Sequence, residues 1–209
     1  MTASGPGSRE EIEVKLPAGD LVALRSKLTA AGAKRRTPLH AESNDLFDDG
    51  SGTLSKSGRA LRLRRANGGA VLTYKGPARF ENGAKIREER EVAVSDAAEA
   101  EAILAGLGLS RRFRYEKRRE EWDWEGCALA LDETPIGDFI EVEGEPRSIR
   151  KVFVHLGLDF AEAIPYSYAE LYLRKRKEDP SLPEDMVFSG SQVSGLRSQV
   201  EIGADPKAE

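Results

Sequence analysis

Glu11-Ile12-Glu13-Val14-Lys15 decides the fold. In a β-strand alternate side chains share a face, so Glu11, Glu13 and Lys15 point one way and Ile12 and Val14 the other. On one strand alone, a charged face is what a solvated edge shows. The chain repeats the pattern elsewhere. Ala60-Leu-Arg-Leu-Arg64 sets Arg62 and Arg64 against Leu61 and Leu63. Thr73 shares a face with Lys75, Arg87 with Glu89 and Glu91, and Lys117 with Arg119. In Phe139-Ile-Glu-Val-Glu143, Glu141 and Glu143 oppose Ile140 and Val142. Strict alternation in basic and acidic strands alike is poorly explained by faces that are merely wet.

Each apolar strand face needs a packing partner, and three amphipathic helices are available. Asp20 caps one, with Leu21, Leu24 and Leu28 at helical spacing and a stop at Gly32. Ser95 caps the next, carrying Ile103, Leu104 and Leu107 up to Gly108. The third sets Ile149, Val152, Phe153 and Leu156 on one face and ends at Gly157. With helices on the apolar outside, the charged faces look at one another. An α+β fold follows: a closed or nearly closed antiparallel β-barrel with a polar lumen and helices packed outside. Asn67-Gly68-Gly69 turns a hairpin between residues 60–64 and 70–75, Asn44–Asp48 reads as a strand, and Ser167–Tyr172 as a short closing helix. Residues 1–8 read as a flexible leader, 9–177 as one domain and 178–209 as a disordered tail rich in Pro, Ser and Gly.

Composition excludes several classes. A formal charge of −4 across 209 residues gives no global basic field, so no nucleic-acid partner is expected. The single cysteine, Cys127, forbids an internal disulfide and reads as a buried, inert thiol. No apolar run is long enough to cross a membrane and the N-terminus does not read as a signal peptide, so a cytoplasmic protein is expected.

Lys15, Arg62, Arg64, Lys75, Lys117 and Arg119 converging on one lumen repel one another unless a polyanion lies among them. Arg forks and Lys point charges suit phosphate oxygens. Glu11, Glu13, Glu141 and Glu143 are hard oxygen donors suited to Mg²⁺ or Mn²⁺. Anion clamps with a divalent cation are the equipment of phosphoryl or nucleotidyl transfer. No Gly-x-x-x-x-Gly-Lys-Ser/Thr loop occurs, and His40 and His155 are too scattered for a zinc set and read as structural.

These residues resemble the CYTH superfamily, the triphosphate tunnel metalloenzymes. The resemblance rests on Glu11-x-Glu13-x-Lys15, Leu61-Arg-Leu-Arg64, Tyr74-Lys-Gly-Pro77, Arg87-x-Glu89-x-Glu91 and Glu116-Lys-x-Arg119. It continues through Leu131-Asp132, Gly137-Asp-Phe-Ile-Glu141-x-Glu143 and Ser167-Tyr168-x-x-Leu171, all in the family's order. It implies an eight-stranded antiparallel tunnel. Glu11, Glu13 and Glu143 would hold the metal, with Glu141 and Asp132 as further ligands or close behind. Lys15, Arg62, Arg64, Lys75, Arg87, Lys117 and Arg119 would bind the triphosphate, and Lys15, Glu89 and Glu91 would form the catalytic set.

The activity implied is metal-dependent hydrolysis of a phosphoanhydride bond in tripolyphosphate or in a nucleoside or thiamine triphosphate. The stretch 131–143 looks most like the class IV adenylate cyclases, which make cyclic AMP and pyrophosphate from ATP. A non-catalytic polyphosphate- or nucleotide-binding module is the third reading. The expected partner is a small-molecule triphosphate, with no membrane, in a monomer or homodimer.

Overall fold

The computed structural model describes residues 9–189. In chain order the strands and helices are β1 (Arg9–Pro17), α1 (Leu21–Ala30), β2 (Lys34–Asp48), α2 (Thr53–Lys56), β3 (Ala60–Ala66) and β4 (Gly69–Lys75). There follow β5 (Arg79–Glu81), β6 (Ala84–Val94), α3 (Ala97–Gly106), β7 (Ser110–Trp124), β8 (Cys127–Thr134) and β9 (Gly137–Glu143). α4 (Pro146–Leu156) and α5 (Tyr168–Glu178) complete it.

The sheet runs β1-β9-β8-β7-β2-β3-β4-β6, and β6 pairs back onto β1, closing an eight-stranded antiparallel barrel. β5 is an extra strand, a short hairpin partner of β6. Among the described residues, closure leaves no long bare edge to template pairing with another chain. The β3–β4 connection is a two-residue turn in which Asn67 (φ 51°) and Gly68 (φ 75°) both adopt positive φ, the geometry that matches strand twist in tight hairpins.

Register decides which side chains face inward. Lys15 lies opposite Glu141 and Glu13 opposite Glu143, while Arg62 pairs with Thr73, Lys75 with Glu89 and Arg119 with Asp132. The other parity packs outward. Val14, Leu16, Leu129, Leu131, Ile140 and Val142 are buried under Leu21, Leu24 and Leu28 of α1 and Ile149, Val152, Phe153 and Leu156 of α4. A second outer cluster sets Leu104 of α3 on Phe47, Leu63 and Ala70.

α3 departs from expectation in two ways. Its cap is Asp96, whose carboxylate accepts from Ala98 N and Glu99 N, one residue later than Ser95. Ile103 and Leu107 are exposed, because the helix meets the sheet through Leu104 with Ala97 and Ala100 beside it.

α5 differs from the helices that lie outside. Its Tyr168, Ala169 and Tyr172 pack on Phe113, Tyr115 and Phe139, which belong to the inward parity of β7 and β9. One end of the lumen is therefore filled by apolar and aromatic side chains. Ser167 starts the helix with a reciprocal capping box shared with Glu170. Ser167→Ala is expected to cost about 1 kcal/mol, measured by denaturant unfolding; an unchanged midpoint would contradict the capping assignment.

The chain assigned to a tail from residue 178 stays on the barrel at least to 189. Met186 is fully buried and bridges Tyr115, with Met186 N donating to Arg114 O at 2.9 Å and Glu116 N to Met186 O at 2.8 Å. The Tyr172 hydroxyl donates to Pro183 O at 2.9 Å. Residues 1–8, read as a leader, and 190–209 of the tail lie outside the described residues. Among the described residues, no helix is long and apolar enough to cross a membrane.

Candidate active site in the tunnel

The inward faces enclose a cavity of about 270 Å³. It is lined by Glu11, Glu13 and Lys15 of β1, Arg62 and Arg64 of β3, Lys75 of β4, Arg87, Glu89 and Glu91 of β6, Lys117 and Arg119 of β7, and Glu141 and Glu143 of β9. Every site residue expected from the sequence is thus on one wall or another, except Asp132, which is fully buried just behind it. Lys85, Arg36, Glu121, Tyr115, Ser167 and Tyr168 also line the cavity and were not anticipated. Glu42 and Asn44 of β2, likewise unanticipated, are buried beside Arg64.

The clamp cations are held by carboxylates. Asp132 takes Arg119 in a fork (Nε to Oδ1 2.8 Å, Nη2 to Oδ2 2.6 Å), Lys117 at 3.1 Å and the Tyr168 hydroxyl at 2.7 Å. Arg119 also bonds Glu141, and Lys15 lies 3.2 Å from the other oxygen of Glu141. Lys15 donates to Tyr166 O at 3.2 Å and sits 4.2 Å from the Tyr168 ring centroid, an arrangement that gives a buried ammonium both a carbonyl and a π face. On the far side, Arg62 donates to Glu91 (3.2 Å) and Thr73 (3.1 Å), while Lys75 and Arg87 both donate to Glu89.

Among the described residues, nine cations at the lumen (Lys15, Arg36, Arg62, Arg64, Lys75, Lys85, Arg87, Lys117, Arg119) meet nine carboxylates on or just behind its wall (Glu11, Glu13, Glu42, Glu89, Glu91, Glu121, Asp132, Glu141, Glu143). That balance is what allows so much charge to be buried at all.

Proton affinities follow position. Burial raises the Glu89 carboxyl, but Lys75 and Arg87 outweigh it and hold it at about 2. Glu11 goes the other way, pushed up to about 8 by burial and by repulsion from Glu89 and Glu143. Burial and the nearby Arg62 and Arg87 depress Lys75 to about 7. Burial, then Arg87 and Lys15, bring Lys85 to about 8.

Asp132 and Glu141 give their oxygens to Lys15, Lys117 and Arg119, and Glu11, Glu13 and Glu143 on β1 and β9 are the candidate donors for a divalent cation. Among the described residues no three acid or imidazole side chains already gather at ligand distance around one point. The chemistry of the donors nevertheless fits: three hard oxygen groups stand on adjacent strands, and a cation would offset both the burial and the repulsion from Glu89 and Glu143 that lift Glu11 to about 8. Cys127 is buried, its thiol pushed up to about 11 by burial and then by Glu125, as expected of an inert core cysteine.

Fold and site define an antiparallel β-tunnel protein whose lumen is lined by facing ranks of cations and carboxylates. The model of the CYTH domain matches residues 9–194, and the chain belongs to that family. A Methanocaldococcus jannaschii protein provisionally named an adenylate cyclase is 29% identical over 135 residues, covering 64% of this chain and 75% of that one. The solved PH1819 protein of Pyrococcus horikoshii OT3 is 29% identical with a TM-score of 0.67, over 79% of this chain and 99% of its own. A Hippeastrum protein, named an adenylyl cyclase but described as having a dominant triphosphatase activity, shares the fold at 21% identity and a TM-score of 0.60, over 79% and 96%.

Proposed function

We propose that this chain is a divalent-metal-dependent enzyme that binds a triphosphate in its tunnel and hydrolyses a phosphoanhydride bond. The observation that carries the reading is the cluster of buried guanidinium and ammonium groups around one cavity, opposite carboxylates suited to a hard cation. Lys15, Arg62, Arg64, Lys75, Arg87, Lys117 and Arg119 bind the phosphoryl oxygens. Asp132 and Glu141 keep Lys15, Lys117 and Arg119 aimed, so the clamp is organised before substrate arrives. Glu11, Glu13 and Glu143 hold Mg²⁺ or Mn²⁺, which when bound supplies Lewis-acid charge to the reacting phosphoryl group. Glu89, ionised between Lys75 and Arg87, and Glu91, beside Arg62, orient the attacking water.

The cyclase reading is favoured by the name of the archaeal relative. Against it stands the lining of the cavity, mostly charged, where hydrolysis needs only water beside the triphosphate. The buried, unpaired thiol suits a cytoplasmic enzyme, acting as a monomer or homodimer on a small molecule.

The test offers tripolyphosphate, thiamine triphosphate and ATP with Mg²⁺ or Mn²⁺ to the protein and to Glu13→Ala and Lys75→Ala. Orthophosphate release that falls by on the order of a thousandfold in both variants is expected. Cyclic AMP with pyrophosphate from ATP would replace hydrolysis by cyclisation. Tight binding of tripolyphosphate without turnover would leave only a binding module.

A further inference from the structure

The inward face of β2 carries Glu42 and Asn44, 3% and 0% exposed, and neither reaches the cavity itself. Arg64 and Lys117, which they contact, do line that cavity, while Glu42 and Lys117 also border a second, outer pocket. Asn44 Oδ1 accepts from Arg64 Nε at 3.1 Å. Glu42 places one oxygen 3.2 Å from Arg64 and the other 3.6 Å from Lys117 Nζ. The charges that act most on Glu42 are all cations, Lys117, Arg119, Arg64 and Arg62. It therefore sits within the clamp, as an anion among phosphate-binding groups.

The corner is also under-satisfied. Glu42 Oε2, Asn44 Nδ2 and Arg62 Nε are buried without a hydrogen-bond partner. Such groups are uncommon and costly in a finished core. Of these, Arg62 Nε belongs to a residue that lines the cavity and is a donor of the kind an anionic oxygen would engage.

We propose that Glu42 is an internal stand-in for a phosphoryl group: with Asn44 it keeps Arg64 and Lys117 aligned in the free protein, and a triphosphate takes those cations over when it binds. Glu42 and Asn44 are then positioning residues that act through Arg64 and Lys117, and the proposal rests on the triphosphate reading. Glu42 also limits how much negative charge the tunnel accepts, because an incoming phosphate meets a like charge a few ångströms behind its binding groups.

The experiment measures tripolyphosphate binding by calorimetry, and its effect on the thermal midpoint, in a chelator for wild type, Glu42→Gln and Asn44→Asp. Glu42→Gln removes the competitor; its ligand-free midpoint falls, tripolyphosphate raises it by more than in wild type, and affinity increases on the order of tenfold. Asn44→Asp adds a second competitor beside Arg64, and its affinity falls by a similar factor. If Glu42 were only a structural ion pair, Glu42→Gln would lose the same stability with and without tripolyphosphate; unchanged or weaker binding there overturns the proposal. Should Glu42→Gln not fold, Asn44→Asp decides alone, and unchanged or tighter binding overturns it. A wild type that tripolyphosphate neither binds nor stabilises overturns the triphosphate reading, and this proposal with it.

Discussion

Arg119→Met is expected to destabilise the protein by about 3 kcal/mol, near the lower end of what breaking a buried ion pair costs. The arginine is buried and joins three strands: it forks onto Asp132 of β8, bonds Glu141 of β9 and projects from β7. Methionine keeps much of the volume but leaves two carboxylates with fewer donors. Asp132 retains Lys117 and the Tyr168 hydroxyl, and Glu141 retains Lys15, which is why the loss stays at the low end. The measurement is urea unfolding, with Arg79→Met as the comparison. Arg79 bridges Glu10 and Glu81 on the exposed surface, where solvent screens the pair, and its loss should shift the midpoint little. Equal effects in the two variants would mean that the Arg119 network contributes no more than a surface pair. The same Arg119→Met protein should also lose the stabilisation that tripolyphosphate gives the wild type, since Arg119 lines the cavity.

How much of this was legible in the sequence depends on whether local pattern and burial agree. On β1, β3 and β9 they do. Ile12/Val14, Leu61/Leu63 and Ile140/Val142 alternate with charges, so parity alone separates outside from lumen. The pattern marks β2 only from Asn44, because Lys34-Arg35-Arg36-Thr37-Pro38-Leu39-His40 does not alternate. The structure gives the reason: the β2–β7 register shifts between Arg35 and Thr37 and again between Thr37 and His40, around Pro38, which cannot donate to the ladder. Arg36 and Glu42 were missed with it, although Glu42 and Asn44 do share a parity. Lys85 was missed by one residue at the start of β6, where the same alternation with Arg87, Glu89 and Glu91 could have included it. Ile103 and Leu107 misled in the opposite sense. An apolar stripe at helical spacing predicts burial, but the small side chains of Ala97 and Ala100 set the contact of α3 with the sheet. Met186 carries no periodic signal, since it follows a stretch of prolines and acids and is buried because the cluster that includes Tyr115 and Tyr172 leaves it a place.

The tunnel's affinity for tripolyphosphate should fall steeply as pH rises from 7 to 9. Lys75 and Lys85 are depressed to about 7 and about 8, chiefly by burial and then by neighbouring cations, so across this range both pass from ammonium to neutral amine. An anion prefers the ammonium forms and raises both affinities for protons on binding. Binding at pH 8 therefore takes up protons, and each lysine weakens the complex up to about tenfold per pH unit above its own titration point. Glu11, at about 8, adds the same sign, since its ionisation over that interval brings a negative charge to the lumen. The summed loss between pH 7 and 9 is on the order of a hundredfold or more. Calorimetry in two buffers of different ionisation enthalpy reads the proton uptake directly. Lys75→Met should reduce the uptake by close to one proton at pH 8 while keeping the contribution of Lys85. Affinity that is flat over this range, or rises with pH, would mean that these two lysines are not charged by the ligand and that the anion lies elsewhere in the lumen. Sensitivity of this kind follows from a balanced lumen: with its cations already facing carboxylates, each proton gained shifts the tunnel toward holding a polyanion.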